Sequence, residues 1–497
     1  MLPPLLIISF ILGYFLLLIG ISWFTGKKSD SNLDFFLAGK KSPWFIIAFG
    51  MIGSSLSGVT FISIPGWVKD SSFSYMQVVM GYMLGYFVIA TVLMPLYYKL
   101  NLTSIYTYLE KRFGYWSYKT GASFFLLSRT LGSALRLYLV ANVLQLTVFD
   151  YYNIPFAATV IITIVFIWLY TFKGGIKTII WTDTLQTLFM LTAVGVSIWI
   201  ISSQLGLGAS EMVKLVSESE YSRIFFFDDF NDKKYFWKQF LSGAFIAIAM
   251  TGLDQDMMQK NLSCKNIKDA QKNIFSFSIV LLIVNLFFMA LGALLYLFAT
   301  TKGITLPEKT DDLYPMLATQ GYLSTIAGIF FIVGLIAAAY SSADSAMTAL
   351  TTSFCVDFLN LDKKEEISAQ IKTAIRKKVH IAISVIMILV IIVFKVIDHS
   401  NVISAVFTVA GYTYGPLLGM YAFGLFCKYQ VTDKYVPFVA IASPLVCFIL
   451  SMYSESLLNG YQFGFEILIL NGLLTFIGLF SIKIKTETKE VLEVKPA

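Results

Sequence analysis

Long apolar runs separated by short polar gaps fill this chain almost from end to end. Runs of roughly 20 apolar residues, the length that crosses a bilayer as a helix, fall near 4–24, 44–66, 73–97, 120–148, 155–172, 179–203, 238–259, 274–299, 323–354, 380–397, 401–427, 435–453 and 464–482. The pattern predicts an all-α polytopic membrane protein of about 13 transmembrane helices, one transmembrane unit over 1–482 followed by a short tail over 483–497. The polar gap at Asp398–Asn401 is the weakest of the predicted breaks. Gaps of up to about 35 residues are too short to hold an independent core.

Polar residues inside these runs mark where chemistry is expected. The ninth run carries Ala337-Ala338-Ala339-Tyr340-Ser341-Ser342-Ala343-Asp344-Ser345. On a helix, Ala338, Ser341, Ser342 and Ser345 form one stripe. Such a stripe is either a small-residue packing seam or a row of oxygens for an ion, with the ionisable Asp344 at its edge. The second run contains Gly53-Ser54-Ser55-Leu56-Ser57-Gly58-Val59-Thr60 at its centre. Glycine is costly in a helix and serine competes for backbone bonds, so a midplane break is expected there; a serine-rich helix crossing is the plainer reading. Asp183, a turn or two into the sixth run, is either an interfacial carboxylate beside a lysine or a cation ligand. The seventh run ends Asp254-Gln255-Asp256-Met257-Met258-Gln259-Lys260, which reads as a gate or helix-end network, or as a solvated helix end. Arg129 and Arg136, seven residues apart, face the same side of the fourth run. Each must be paired or hydrated, as a structural partner of an acid such as Asp344 or Glu466 or as a clamp for a substrate carboxylate.

Composition narrows the class further. Of 497 residues, 57% are hydrophobic and 13% charged, about half the charge fraction of a soluble domain. The net charge of +7 does not point to nucleic acid, because the bases lie in short gaps. Alternate gaps carry them, from Lys27 and Lys28 through Lys111, Lys173, Lys265 and Lys377 to Lys434, which places the N-terminus outside and the C-terminus in the cytoplasm. The opposite gaps are poor in bases except for 205–238, where acids offset them. The four cysteines have no motif spacing, and His380 and His399 flank one run, so neither a disulfide framework nor a metal-binding triad is indicated. The start, Met1-Leu2-Pro3-Pro4, lacks a basic leader and cleavage signal, so the first run is expected to be retained. Gly39-Lys40-Lys41-Ser42 is a poor phosphate loop, with Asp34 where the first glycine should stand.

Several ordered signatures give this chain a resemblance to the sodium:solute symporter family over nearly its whole length. They are Gly174-Gly175-Ile176 with Trp181-Thr182-Asp183 and Gln186, Asp254-Gln255 with Gln259-Lys260, Ala338 with Ser341-Ser342, and Ala410-Gly411-Tyr412-Thr413-Tyr414-Gly415-Pro416. The resemblance implies a leucine-transporter-type fold of two inverted five-helix repeats, over 44–203 and 238–427, with one extra N-terminal helix and two C-terminal ones. It implies a main sodium site of carbonyls from Gly53, Leu56 and Ala338 with hydroxyls of Ser341 and Ser342, hard oxygen ligands that suit an alkali cation. Some relatives carry a second sodium site, which would fall on Asp183, Asp344 and Ser345; Asp344 replaces a hydroxyl residue there, and two carboxylates could bind sodium, share a proton or neutralise an arginine. Substrate contacts would fall on Ser57, Thr60, Tyr75 and Gln77. In sialic acid carriers an arginine of the fourth span binds the substrate carboxylate; Arg129 and Arg136 lie on that span, neither at the matching position.

The function expected is sodium-coupled symport of a small organic solute, a sugar or an organic acid, into the cell by alternating access. The alternatives are proton coupling on the same fold, through Asp344 and Asp183, or a transporter-like solute sensor, for which the tail is too short to signal. An enzyme is not expected, because the membrane acids are scattered. The partners implied are sodium as the co-transported ion, the solute and the lipid bilayer of the plasma (inner) membrane, with no nucleic acid and no obligatory protein partner.

Overall fold

The computed structural model describes residues 3–26, 42–364, 366–397 and 402–484, so the predicted gap at 398–401 and the tail beyond 484 lie outside the described residues. The chain forms helices with one two-stranded antiparallel ribbon, Gln430–Val431 against Lys483–Ile484, pairing Gln430 with Ile484 and Val431 with Lys483. The principal helices are α1 (Pro4–Gly26), α2 (Trp44–Ser55), α3 (Gly58–Ser71), α4 (Tyr75–Lys99), α5 (Tyr115–Leu144), α6 (Phe156–Leu205), α7 (Phe236–Gly252), α8 (Gln255–Leu262), α9 (Ile267–Thr301), α10 (Thr325–Ser353), α11 (Ala369–Val396), α12 (Val402–Phe426), α13 (Val436–Met452) and α14 (Ile467–Ser481). Among the described residues, 9 helices are long and apolar enough to cross a membrane, or up to 11 with the bent pairs α2/α3 and α7/α8 each counted as one span. Phe156–Thr171 and Ile467–Ser481 are shorter apolar helices.

The helical segment α6 doubles back on itself. Tyr14 packs edge-on to Phe189, while the next residue, Phe15, stacks on Phe166. In a straight helix those two phenylalanines would stand about 35 Å apart. Phe156–Thr171 and Thr178–Leu205 therefore run side by side against α1, which matches the two predicted runs.

The break between α2 and α3 bends the chain by 56°. Leu56 (φ −85°, ψ 81°) and Ser57 (φ −76°, ψ 177°) leave the helical region there, at the cluster of serines and glycines whose local preferences oppose a continuous helix. Gly50 and Gly53 bring α2 close to the second half of α6; an added Cβ would lie 3.2 Å from the Asp183 Cβ at Gly50 and 3.2 Å from the Asp183 carbonyl at Gly53.

The second break was not predicted. The run at 238–259 was read as one span, yet α7 and α8 meet at 66°. Asp254 leaves the helical region (φ −106°, ψ 122°) and caps α8 by accepting from the backbone N–H groups of Asp256 and Met257. Its preference for the cap position supplies the reason.

Between the breaks stands α10, whose apolar core is 83% buried, against 22% for the window containing α13. A helix covered on all sides is the protein's centre, whereas one with large exposed side chains, such as Phe438 and Leu445 on α13, faces lipid. On the lysine-rich face, Asp433 accepts from the Trp116 and Ser117 N–H groups at 2.7 and 2.8 Å and caps α5. Arg112 donates to the carbonyls of Gly424, Cys427 and Tyr429, covering the C-terminal end of α12.

Candidate functional site

At the first break the structure sets Gly53 at the end of α2 against Ser341 of α10, two of the residues expected at the main sodium site. The end of a helix leaves carbonyls without helical partners. Leu56 N–H bonds to Ile52 O at 2.7 Å, but no described backbone N–H donates to the carbonyls of Gly53 or Leu56. Ser341 faces this end, its Oγ 3.4 Å from where a Gly53 Cβ would stand, and donates to Asp183 Oδ1 at 2.6 Å. Ser342 Oγ is buried with no partner among the described residues. Ala338, fully buried, lies one turn earlier on α10, and its neighbour Ala339 approaches the start of α3 at Gly58.

Beside this crossing lies a second, denser cluster. Lys260 Nζ donates to Asp183 Oδ2 and Ser345 Oγ, each at 2.7 Å, and to Ser54 Oγ. Ser54 Oγ in turn donates to Asp183 Oδ2 at 2.8 Å. Lys260 is 1% exposed, so the reading of the 254–260 stretch as a solvated helix end is corrected: the bend between α7 and α8 turns these charges into the protein. Asp344 makes no hydrogen bond to the lysine; its Oδ2 accepts from the Tyr170 hydroxyl at 2.7 Å and its Oδ1 is buried without a partner among the described residues.

A cavity of about 90 Å³ opens on the other side of the first break. Ser57, Thr60, Tyr75 and Arg136 line it, as expected, together with Tyr82, Tyr86, Asn285 and Phe407, which sequence reasoning did not single out. The Tyr75 and Tyr82 hydroxyls bond to each other at 3.0 Å, and Tyr75 stacks on Phe407. Among the described residues no carboxylate pairs with Arg136. Gln77 is not brought to the cavity. Its amide accepts from Phe226 N–H at 3.1 Å and donates to Lys234 O at 2.9 Å, tying down the loop before α7. Successive residues two apart on a helix point to opposite sides, so Tyr75 and Gln77 cannot share a face.

The second break is largely closed by side chains, with Arg129 Nε and Asp256 Oδ1 left without a partner among the described residues. Arg129 pairs with Asp256 and lies 3.9 Å from Asp254, so its partner is neither Asp344 nor Glu466. Glu466 instead accepts from Tyr461 and Gly464. The Tyr414 hydroxyl donates to Asp254. Gln255 clasps the segment between α4 and α5, accepting from Ile105 N–H and donating to Thr103 O.

Comparison with known proteins places this arrangement. Residues 35–434 match the model of the sodium:solute symporter family. The sodium/sialic acid symporter SiaT of Proteus mirabilis is 25% identical over 91% of this chain and 90% of its own. The sodium/sialic acid symporter NanT of Aliivibrio fischeri is 24% identical over 83% of this chain and 81% of its own. Among solved structures, a substrate-bound, outward-open Na+-coupled sialic acid symporter superposes with a TM-score of 0.78 at 22% identity, covering 95% of this chain and 96% of that one. A nucleobase-cation-symport-1 family transporter superposes at 0.56 and 13% identity over 92% of this chain and 94% of that one. The two likenesses establish a shared fold. With four-fifths of its length matched by the family model, this multi-pass membrane protein belongs to the sodium:solute symporter family and is a sodium-coupled symporter of a small solute.

Proposed function

We propose that sodium binds where α2 ends against α10, held by the carbonyls of Gly53, Leu56 and Ala338 and the hydroxyls of Ser341 and Ser342. The observation that carries this reading is the helix break itself, which leaves the Gly53 and Leu56 carbonyls without a backbone donor among the described residues. Ser341 Oγ comes there to 3.4 Å of where a Gly53 Cβ would stand, one residue before a buried Ser342 hydroxyl with no partner among the described residues. Buried polar oxygens are costly unless satisfied, and oxygens alone suit a hard monovalent cation.

The solute binds in the adjoining cavity, between Ser57, Thr60 and Tyr75 on one side and Arg136 on the other. An unpaired guanidinium lining a cavity in a membrane protein is costly unless a ligand or water meets it, and its fork suits a carboxylate. The solute class is therefore a hydroxylated organic acid, and the sialic acid symporters among the relatives make sialic acids the first compounds to try. A sodium ion bound at the crossing favours the state in which the cavity faces outward, and each ligand raises the other's affinity.

The topology that serves this cycle is thirteen spans, with Phe156–Thr171 and Ile467–Ser481 counted among them, in two inverted repeats over 44–203 and 238–427. That each proposed repeat begins with a broken helix supports the division. The N-terminus faces outward and the C-terminus the cytoplasm of a plasma (inner) membrane, on the alternation of basic gaps. Asp254 and Gln255 belong to the gate, because they join α8 to both Arg129 and the segment after α4. The test is thermal stability of the purified chain against sialic acids, sugars, amino acids and vitamins, with sodium or potassium present. A carboxylate ligand that stabilises only in sodium, and no longer does so in Arg136→Ala, is the expected result. A neutral sugar as the sole hit would overturn the assignment of the solute class.

A further inference from the structure

The positions that would form a second sodium site do not fit a sodium ion in this chain. We propose that the Lys260 ammonium is a tethered cation that takes that ion's place, so that the protein binds and moves a single sodium per cycle. An ammonium has three hydrogens to donate, and those of Lys260 go to Asp183, Ser345 and Ser54. Two of these acceptors, Asp183 and Ser345, are residues of the implied second site. The carboxylate of Asp183 is saturated as well: besides Lys260 it accepts from Ser54 at 2.8 Å and from Ser341 at 2.6 Å. The amide of Gln186, oriented with its nitrogen toward Asp183, lies 3.2 Å from Oδ1. A carboxylate offers about four lone-pair sites, and these donors fill them. Sodium at bonding distance from the same oxygens would adjoin a buried ammonium, two positive charges in contact in a medium that screens poorly.

Asp344 makes no bond to Lys260, its Oδ2 accepting from Tyr170, but its charge acts on both Asp183 and Lys260, so the ammonium stands among the carboxylates where the implied ion would. The lysine also ties four segments together: it rises from α8, while its acceptors lie on α2, the second half of α6 and α10. Ser341, which we place among the ligands of the main site, is oriented by its bond to Asp183. Lys260 thus acts as a positioning residue for the sodium that does bind. The inference rests on the main-site reading given above.

The test is equilibrium binding of radioactive sodium to the purified full-length chain in detergent, counting ions per protein, with wild type, Lys260→Ala, Lys260→Ala/Asp183→Asn and Ser342→Ala. We expect a count of one in wild type, lost at the same sodium concentration in Ser342→Ala. Removing the ammonium leaves Asp183 uncompensated, so the count rises to two in Lys260→Ala and returns to one in the charge-balanced double variant. That double variant and wild type suffice if Lys260→Ala fails to fold. A wild-type count of two, with one ion lost in Ser342→Ala, would overturn the tethered-cation inference and leave the main site standing. A count of one that persists in Ser342→Ala but disappears in Lys260→Ala/Asp183→Asn would overturn both.

Discussion

Two broken helices cross the middle of this protein, and they resolve the same difficulty in opposite ways. Interrupting a helix strands carbonyls on one side and N–H groups on the other. At α7/α8 the chain supplies most of the partners itself: Asp254 takes two N–H groups of α8, Arg129 neutralises Asp256 and approaches Asp254, and Tyr414 donates to Asp254, with only Arg129 Nε and Asp256 Oδ1 of this group left over among the described residues. At α2/α3 the Gly53 and Leu56 carbonyls have no backbone donor among the described residues, and the Ser342 hydroxyl on α10 has no partner among them. A break that is closed by side chains is architecture. One that keeps oxygens in reserve is a place for a ligand.

Breaking the closed site has the largest expected effect. Arg129→Ala leaves Asp254 and Asp256 buried without a cation, a loss of about 3–5 kcal/mol for a buried ion pair cut on one side. The variant should lose most of its folded yield in detergent. Arg129→Ala/Asp256→Asn should recover part of it, and a single variant as stable as wild type would show the second break to be no better closed than the first.

Arg136→Ala sharpens the contrast within α5. This arginine lies seven residues, or two turns, from Arg129 but has no acid partner among the described residues, so truncation should cost less than about 1 kcal/mol of stability. Its expected cost falls on ligand binding, at roughly a hundredfold or more for a carboxylate solute that loses a charge-assisted bidentate contact. A large loss of melting temperature with unchanged solute binding would make it a structural residue like its neighbour.

The smallest effect concerns a loop that belongs to neither break. Asp311, between α9 and α10, is 4% exposed and accepts from Val402 N–H at 3.1 Å, capping α12. Burial pushes its carboxyl up to about 6, from an ordinary value near 4. The folded protein therefore holds this proton more tightly than the unfolded chain, and the contribution of Asp311 to stability falls as pH rises from about 4 to 6. Asp311→Asn removes that cost while keeping an acceptor for Val402. It should melt above wild type at pH 7.5, by up to about 3 kcal/mol of stability, and the gap should close as pH falls through 6 toward 4. A gap that widens on acidification would mean that the charged form is the one the fold favours.

What the sequence revealed and what it concealed follow the same physical line. The first break was legible because Gly53, Ser54, Ser55, Ser57 and Gly58 oppose helix continuation locally, in the midst of an apolar run. The stripe on α10 was legible from its periodicity. The second break was not, because Asp254, Asp256 and Lys260 follow an apolar run and hydropathy reads such charges as the run's end. The sign that could have revealed it was Gly252 two residues before Asp254, a breaker followed by a good N-cap. That Lys260 meets Asp183, 77 residues away, is a tertiary fact that no local pattern carries. Gln77 is the opposite case, since its two-residue offset from Tyr75 already excluded a shared helix face.

The central claim is that the crossing of α2 with α10 binds the sodium that drives the symport. It is tested most directly by melting the purified wild type and Ser342→Ala over a sodium titration at constant ionic strength, with potassium as the balancing ion. Because a ligand stabilises the state it binds in proportion to occupancy, the account predicts sodium-dependent stabilisation in wild type. In Ser342→Ala the midpoint should shift about tenfold or more to higher sodium, the equivalent of about 1.4 kcal/mol, with the melting temperature in potassium unchanged. The same sodium midpoint in both proteins would contradict the site.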